Sequence, residues 1–102
     1  MMMESISYGR EKFIEAISIL SGPDSIRRRV IAAFRELQFL ESKHFIDPED
    51  FRRFSNLRFR LTSSRDGQKS GYFEDFIEKG SLEEILAVSG IISSLAAAVI
   101  LK

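Results

Sequence analysis

Residues 85–101 carry no charged side chain, and small residues recur through that run at every fourth position: Ser89, Ser93 and Ala97 on one line, Gly90, Ser94 and Ala98 on the next. A helix with this sequence is apolar or small all round. A surface that wide is not left in water, so three placements fit: the central member of a bundle, a seam between two copies, or a membrane anchor. The membrane placement fits least. Seventeen residues with Ser89, Gly90, Ser93 and Ser94 inside fall short of the roughly 20 apolar residues a span needs. Val88, Ile91, Ile92, Leu95 and Val99 cover one broad side, whereas Gly90, Ser94, Ala97 and Ala98 form a shallow groove on the other. A shallow groove admits a second backbone, which serves a central helix and a dimer seam equally. Those four residues are the candidates for self-association.

The rest of the chain follows the same helical logic. Apolar positions recur at three and four residues almost throughout, and strict alternation is absent, so the pattern predicts an all-α bundle of about five helices. With 102 residues, 44% of them hydrophobic and nine of them Phe, the chain supports a single helical domain over residues 1–102 with a real core. The first helix is expected over about residues 8–20, with Ile6, Phe13, Ile17 and Leu20 on one stripe and Ser21-Gly22-Pro23 as its stop. The second starts near Asp24 or Ser25 and runs to about Glu41, with Ile26, Val30, Ala33, Leu37 and Leu40 as the core face and Phe34 beside them.

Residues 43–46 read as a connector. Asp47-Pro48-Glu49-Asp50 is the strongest start signal: Asp47 can cap, Pro48 suits the first helical position, and two carboxylates favour the positive end of the dipole. The third helix then carries Phe51, Phe54, Leu57 and Leu61 inward to about Thr62, and residues 63–71 form a polar, glycine-punctuated loop. A short fourth helix over about residues 72–79 buries Phe73, Phe76 and Ile77 and closes at Gly80. Ser81-Leu82-Glu83-Glu84 is a capping box that starts the charge-free fifth helix at Leu82.

The arginines are the other candidate surface. Residues 51–70 hold Arg52, Arg53, Arg58, Arg60, Arg65 and Lys69 against Asp66 alone, although the chain as a whole is neutral. On the second helix Arg28, Arg35 and Phe39 fall opposite the core stripe; on the third, Phe59 points away from Phe54 and Leu61, near Arg52. Aromatic rings interleaved with guanidinium groups are enriched at protein interfaces, which makes Arg28, Arg35, Phe39, Arg52 and Phe59 candidate partner-binding residues. The same arginines could meet nucleic-acid phosphates, but an isoelectric point near 6.6 is not the usual electrostatic footprint. The plainer alternative is that they are solvated or paired with the acidic segment that follows Gly71.

No constellation points to catalysis, a cofactor or a metal. His44, the single histidine, sits beside Phe45 without ligand partners at helical spacing. Glu74 with Glu78, and Glu83 with Glu84, fit solvent faces and caps. Gly67 and Gly71 flank a segment with no phosphate-binding pattern. The absence of Cys excludes disulfides and thiolate chemistry and fits a reducing compartment, and residues 1–8 show no secretory signal, so cytoplasm is the expected location. The expected role is a non-enzymatic interaction module that self-associates or binds a protein, with a small nucleic-acid-associated regulator as the alternative.

The order L-S-G-P-D-S-I-R-R-R-V, D-P-E-D-F-R-R-F, R-L-T, a glycine-bearing loop and S-L-E-E-I-L resembles that of small bacterial all-helical bundle proteins of unknown function. The resemblance spans most of the chain, implies the bundle fold, and carries over no activity and no catalytic residue. Such proteins would end in an amphipathic helix with charged positions; this chain does not.

Overall fold

The computed structural model describes residues 2–63 and 72–102 of the chain. Five α-helices follow one another: α1 (Met2–Leu20), α2 (Ile26–Leu37), α3 (Pro48–Thr62), α4 (Phe73–Lys79) and α5 (Leu82–Ile100), with a 3-10 turn at Ser42–His44 between α2 and α3. The all-α bundle is therefore as expected, and no strand occurs among the described residues. The polar loop expected at residues 63–71 lies, from residue 64 onward, outside the described residues.

Local chemistry sets the helix starts. Ser25 accepts from the Arg28 amide to open α2, and Asp47 accepts from the Glu49 amide at 2.9 Å with Pro48 as the first helical residue of α3. Ser81 and Glu84 close the capping box of α5 reciprocally, Glu84 N–H to Ser81 Oγ at 3.1 Å and Ser81 N–H to Glu84 Oε1 at 3.2 Å. At the end of α1 the Gly22 amide donates to the Ile19 carbonyl at 3.0 Å, as the Gly-Pro stop predicts.

Two boundaries differ from the sequence expectation. α1 begins at Met2 rather than near Tyr8; nothing in residues 2–7 breaks a helix, and Glu4 in the first turn suits its positive end. α2 ends at Leu37, four residues before Glu41. The Arg58 Nη1 of α3 takes the carbonyls of Gln38 at 3.1 Å and Leu40 at 2.7 Å, and its guanidinium lies 4.9 Å from the Phe54 ring centroid. That pull turns the chain off the helix line and inserts Leu40 and Phe45 into the core.

The core is one cluster centred on aromatic rings. Phe54 lies 6.4 Å from Phe13, 6.2 Å from Phe34 and 5.6 Å from Phe45, and Phe34 meets Phe73 edge-on at 5.0 Å. Offset and edge-to-face rings at these spacings add to the area they bury. Around them pack Ala16 and Leu20 of α1, Val30, Ala33 and Leu37 of α2, Leu57 and Leu61 of α3, Ile77 of α4, and Ile85, Val88, Ile92, Leu95, Ala96 and Val99 of α5. Ile31 of α2 is partly buried and packs against this cluster. The molecule measures 40 × 32 × 17 Å along its principal axes. At 8–10 Å between helix axes that thickness holds two layers, so every helix keeps an outward face.

Candidate interaction surface

α5 lies against α1, α2 and α3, yet it buries only one side. Its inner face is the apolar set just named. Its outer face carries Leu82, Leu86, Ala87, Gly90, Ser93, Ser94, Ala97 and Leu101, all exposed, with Glu83 at the N-terminal end. Leu82 and Leu86 are 54% and 53% exposed and Leu101 is 86% exposed. Between Glu84 and Lys102 this face holds no charge.

Of the four self-association candidates, Gly90, Ser94 and Ala97 lie on that outer face, and Ala98 is half-buried. A methyl built on Gly90 meets nothing within 4 Å. Ser94 Oγ accepts from Arg53 Nη2 at 2.8 Å. Beside it Arg53, Asn56, Leu57, Arg60 and Ile91 line a shallow cavity of about 270 Å³ between α3 and α5, which gives the uncharged strip a basic shoulder. At its far end Lys102 ties α5 to α3 by donating to Asp47 at 2.8 Å and to the buried Asp50 at 2.7 Å. These bonds hold the Lys102 ammonium above its ordinary value, Asp47 first and Asp50 second, and the Lys102 ammonium in turn holds the Asp47 carboxyl below its own. Residues 47 and 102 are too distant in sequence for spacing to reveal this tie.

The partner-binding candidates do not form one surface patch of free arginines. Arg35 faces Glu74 of α4 at 3.7 Å, and Arg52 is gripped by Glu49 one turn earlier on its own helix, with Nε at 3.0 and 2.9 Å from the two carboxylate oxygens. Arg28 projects exposed, with no side-chain partner among the described residues. Phe39 and Phe59 are 82% and 76% exposed, as their outward positions predict.

Three other arginines act as clasps on helix ends, a role spacing alone did not disclose. Arg27 Nη1 donates to the carbonyls of Ile77 at 2.8 Å and Gly80 at 2.6 Å, closing the C-terminus of α4. Arg29 reaches Leu20 and Asp24 carbonyls at 2.6 and 2.8 Å, closing α1, and Arg58 closes α2 as described. A cation on the last carbonyls of a helix satisfies orphan acceptors and matches the negative end of the dipole.

His44 is buried rather than a free connector residue. Its Nδ1 accepts from the Glu41 amide at 2.8 Å and its ring lies 5.1 Å from Tyr8. Burial, seconded by Lys43, lowers its pKa, while Glu41 opposes. It lies at the base of an open cavity of about 370 Å³ bordered by Glu4, Ser5, Tyr8, Phe39, Glu41 and Lys43. No group of three or more His, Cys, Asp or Glu placed to hold a metal occurs among the described residues.

α5 is the one helix among the described residues long and apolar enough to cross a bilayer, with a third of that stretch buried in the core. No protein-family model matches this chain, and neither the curated proteins nor the solved structures supply a match.

Proposed function

We propose that this protein is a non-enzymatic helical interaction module that self-associates through the outer face of α5. One observation carries the reading: from Leu86 to Leu101 a strip along α5 is exposed, apolar or small, and uncharged, and among the described residues no further layer covers it. Three leucines more than half exposed on one helix cost hydration free energy that association would recover, at about 25 cal/mol per Å² of apolar surface. The chemistry of the site is complementary in kind. It offers van der Waals contact and close backbone approach, with Arg53, Asn56 and Arg60 at one rim, and the hydroxyls on that face, Ser93 and Ser94, have no histidine beside them to act as base. The arginines of α2 and α3 favour this reading over phosphate binding, because most of them are committed to carbonyls and carboxylates of the fold.

Sedimentation velocity tests it. The wild-type chain is expected to show a concentration-dependent rise in weight-average mass from low to high micromolar, and Leu86→Glu, at an exposed position, should abolish the rise while leaving the helical circular dichroism unchanged. A wild-type chain that stays strictly monomeric at several hundred micromolar would refute self-association.

A further inference from the structure

His44 braces its turn through a bond that a proton would break. Its Nδ1 accepts from the Glu41 amide at 2.8 Å, so in this state Nδ1 offers a lone pair and the ring proton sits on Nε2. An imidazolium donates at both nitrogens. Protonated where it stands, the ring would set one N–H against another across a hydrogen-bond distance, and the brace would become a repulsion.

The turn held by this bond is a plug seated on α1, the helix it packs against. The His44 carbonyl oxygen fills the notch left by the missing side chain of Gly9, and the imidazole lies against the Tyr8 ring. Fixed points bound the turn on either side. Arg58 holds the carbonyls of Gln38 and Leu40 before it, and the Asp47 cap starts α3 after it. Movement of the turn is therefore confined to residues 41–44, with Phe45 kept on Phe51 and Phe54.

Space and charge beside the ring favour the protonated form outside. The open cavity of about 370 Å³ at His44 takes Glu4 and the Tyr8 phenol from α1, Glu41 and Lys43 from the turn, and the uncharged Phe39 from the segment after α2. Lys12 stands on Tyr8, 5.4 Å from its ring centroid. Inside, burial and then Lys43 act against a charged ring, with Glu41 opposing them. A ring turned into the cavity regains water and faces Glu4, a carboxylate with no ion-pair partner among the described residues.

We infer that the Ser42–His44 turn is an acid-released latch. Neutral His44 closes it on α1; protonated His44 leaves its bond to Glu41, turns into the cavity and frees the Gly9 face of α1, within a bundle that stays folded. The closed ring is held below its ordinary 6.5, the direction such a latch requires, because the open form then binds the proton more tightly. Each pH unit below 6.5 multiplies the open population about tenfold until the closed ring itself titrates. The latch does not depend on self-association through α5.

NMR on the intact chain tests this in a titration from pH 7.5 to 4.5, following the imidazole signals, the Glu41 amide and the amides of Phe13, Phe34 and Ile92 together. As the ring gains its proton, protection of the Glu41 amide against exchange, corrected for the intrinsic rate, should fall by about tenfold or more. The three core amides should keep their dispersed signals, and the helical circular dichroism should not change. His44→Asn, which has no titrating ring, should show no such fall. A ring that titrates while Glu41 stays protected overturns the latch, because the charge is then accommodated in place. Loss of the core signals in step with the ring overturns it as acid unfolding. A ring still neutral at pH 4.5 in the folded chain, or the same fall in His44→Asn, overturns it as well. If that variant does not fold, the wild-type titration decides alone.

Discussion

Gly9 and Gly90 are both glycines inside long helices, and the structure assigns them opposite responses to the same substitution. At Gly9 an added methyl would overlap the carbonyl oxygen of His44 and come within 3.1 and 3.2 Å of His44 Cβ and carbonyl carbon. The obstacle is mostly backbone of the 3-10 turn, so it does not yield by a rotamer change. Gly9→Ala therefore gains about 0.5–1 kcal/mol of helix propensity but forces the turn away from α1 at an overpacking cost of about 1–3 kcal/mol. If the turn moves far enough to part the Glu41 amide from His44 Nδ1, roughly another 1 kcal/mol is lost. With that bond lost, the net is a destabilisation of about 1–3.5 kcal/mol, or a fall in Tm of roughly 5–25 °C for a domain of this size. Gly90→Ala meets open space and should raise Tm by roughly 2–8 °C. Thermal melts by circular dichroism at one low protein concentration measure both. A Gly9→Ala variant as stable as wild type, or equal shifts at both sites, would refute the close packing of α1 on the His44 turn.

Two further predictions rest on single side chains. Arg27→Met keeps the aliphatic stem but removes the donors that hold the Ile77 and Gly80 carbonyls; the loss of charged hydrogen bonds should cost about 1.5–3 kcal/mol, read as a lower midpoint in urea with m unchanged and faster amide exchange in α4. Unchanged exchange in α4 would show that Arg27 is not its clasp. For His44 the folded pKa lies below the ordinary 6.5, so the folded state favours the neutral ring. Its contribution is complete above about pH 6.5 and is lost as pH falls from there through the folded value. Asp47, Glu49 and Glu36, also held low, act only below their ordinary 3.8–4.5, which keeps the two windows apart. Tm should decline between pH 7 and 5 in wild type and stay flat in His44→Asn, whose amide oxygen can still accept from Glu41; an identical decline in both would assign the slope to another group.

Much of the fold is legible from short spacings. The caps at Ser25, Asp47 and Ser81 and the Gly22-Pro23 stop act over three or four residues, so the sequence shows them directly. The end of α2 is not legible, because no Gly or Pro marks it and the force that ends it comes from Arg58, eighteen residues beyond Leu40. The burial of Phe45 and His44 follows from that same turn and from the notch at Gly9. For the candidate surface, spacing identified the outward positions of Phe39 and Phe59 and the small residues of α5. Its plainer alternative, pairing with the acidic segment after Gly71, fits Arg35, which faces Glu74, but did not include the Glu49 that binds Arg52 on its own helix.

Periodicity and capping chemistry determine that this chain makes helices, roughly where they begin, and which stripe of each is apolar, because these are properties of residues one turn apart. A charge-free segment such as α5 has no polar side to orient it, so the sequence cannot say which face turns inward or whether either stays uncovered. Packing decides that. A bundle two layers thick covers one face of α5: Ile85, Val88, Ile92, Leu95 and Val99 join the Phe13, Phe34 and Phe54 cluster, while Gly90, Ser93, Ser94 and Ala97 face out together with Leu82, Leu86 and Leu101.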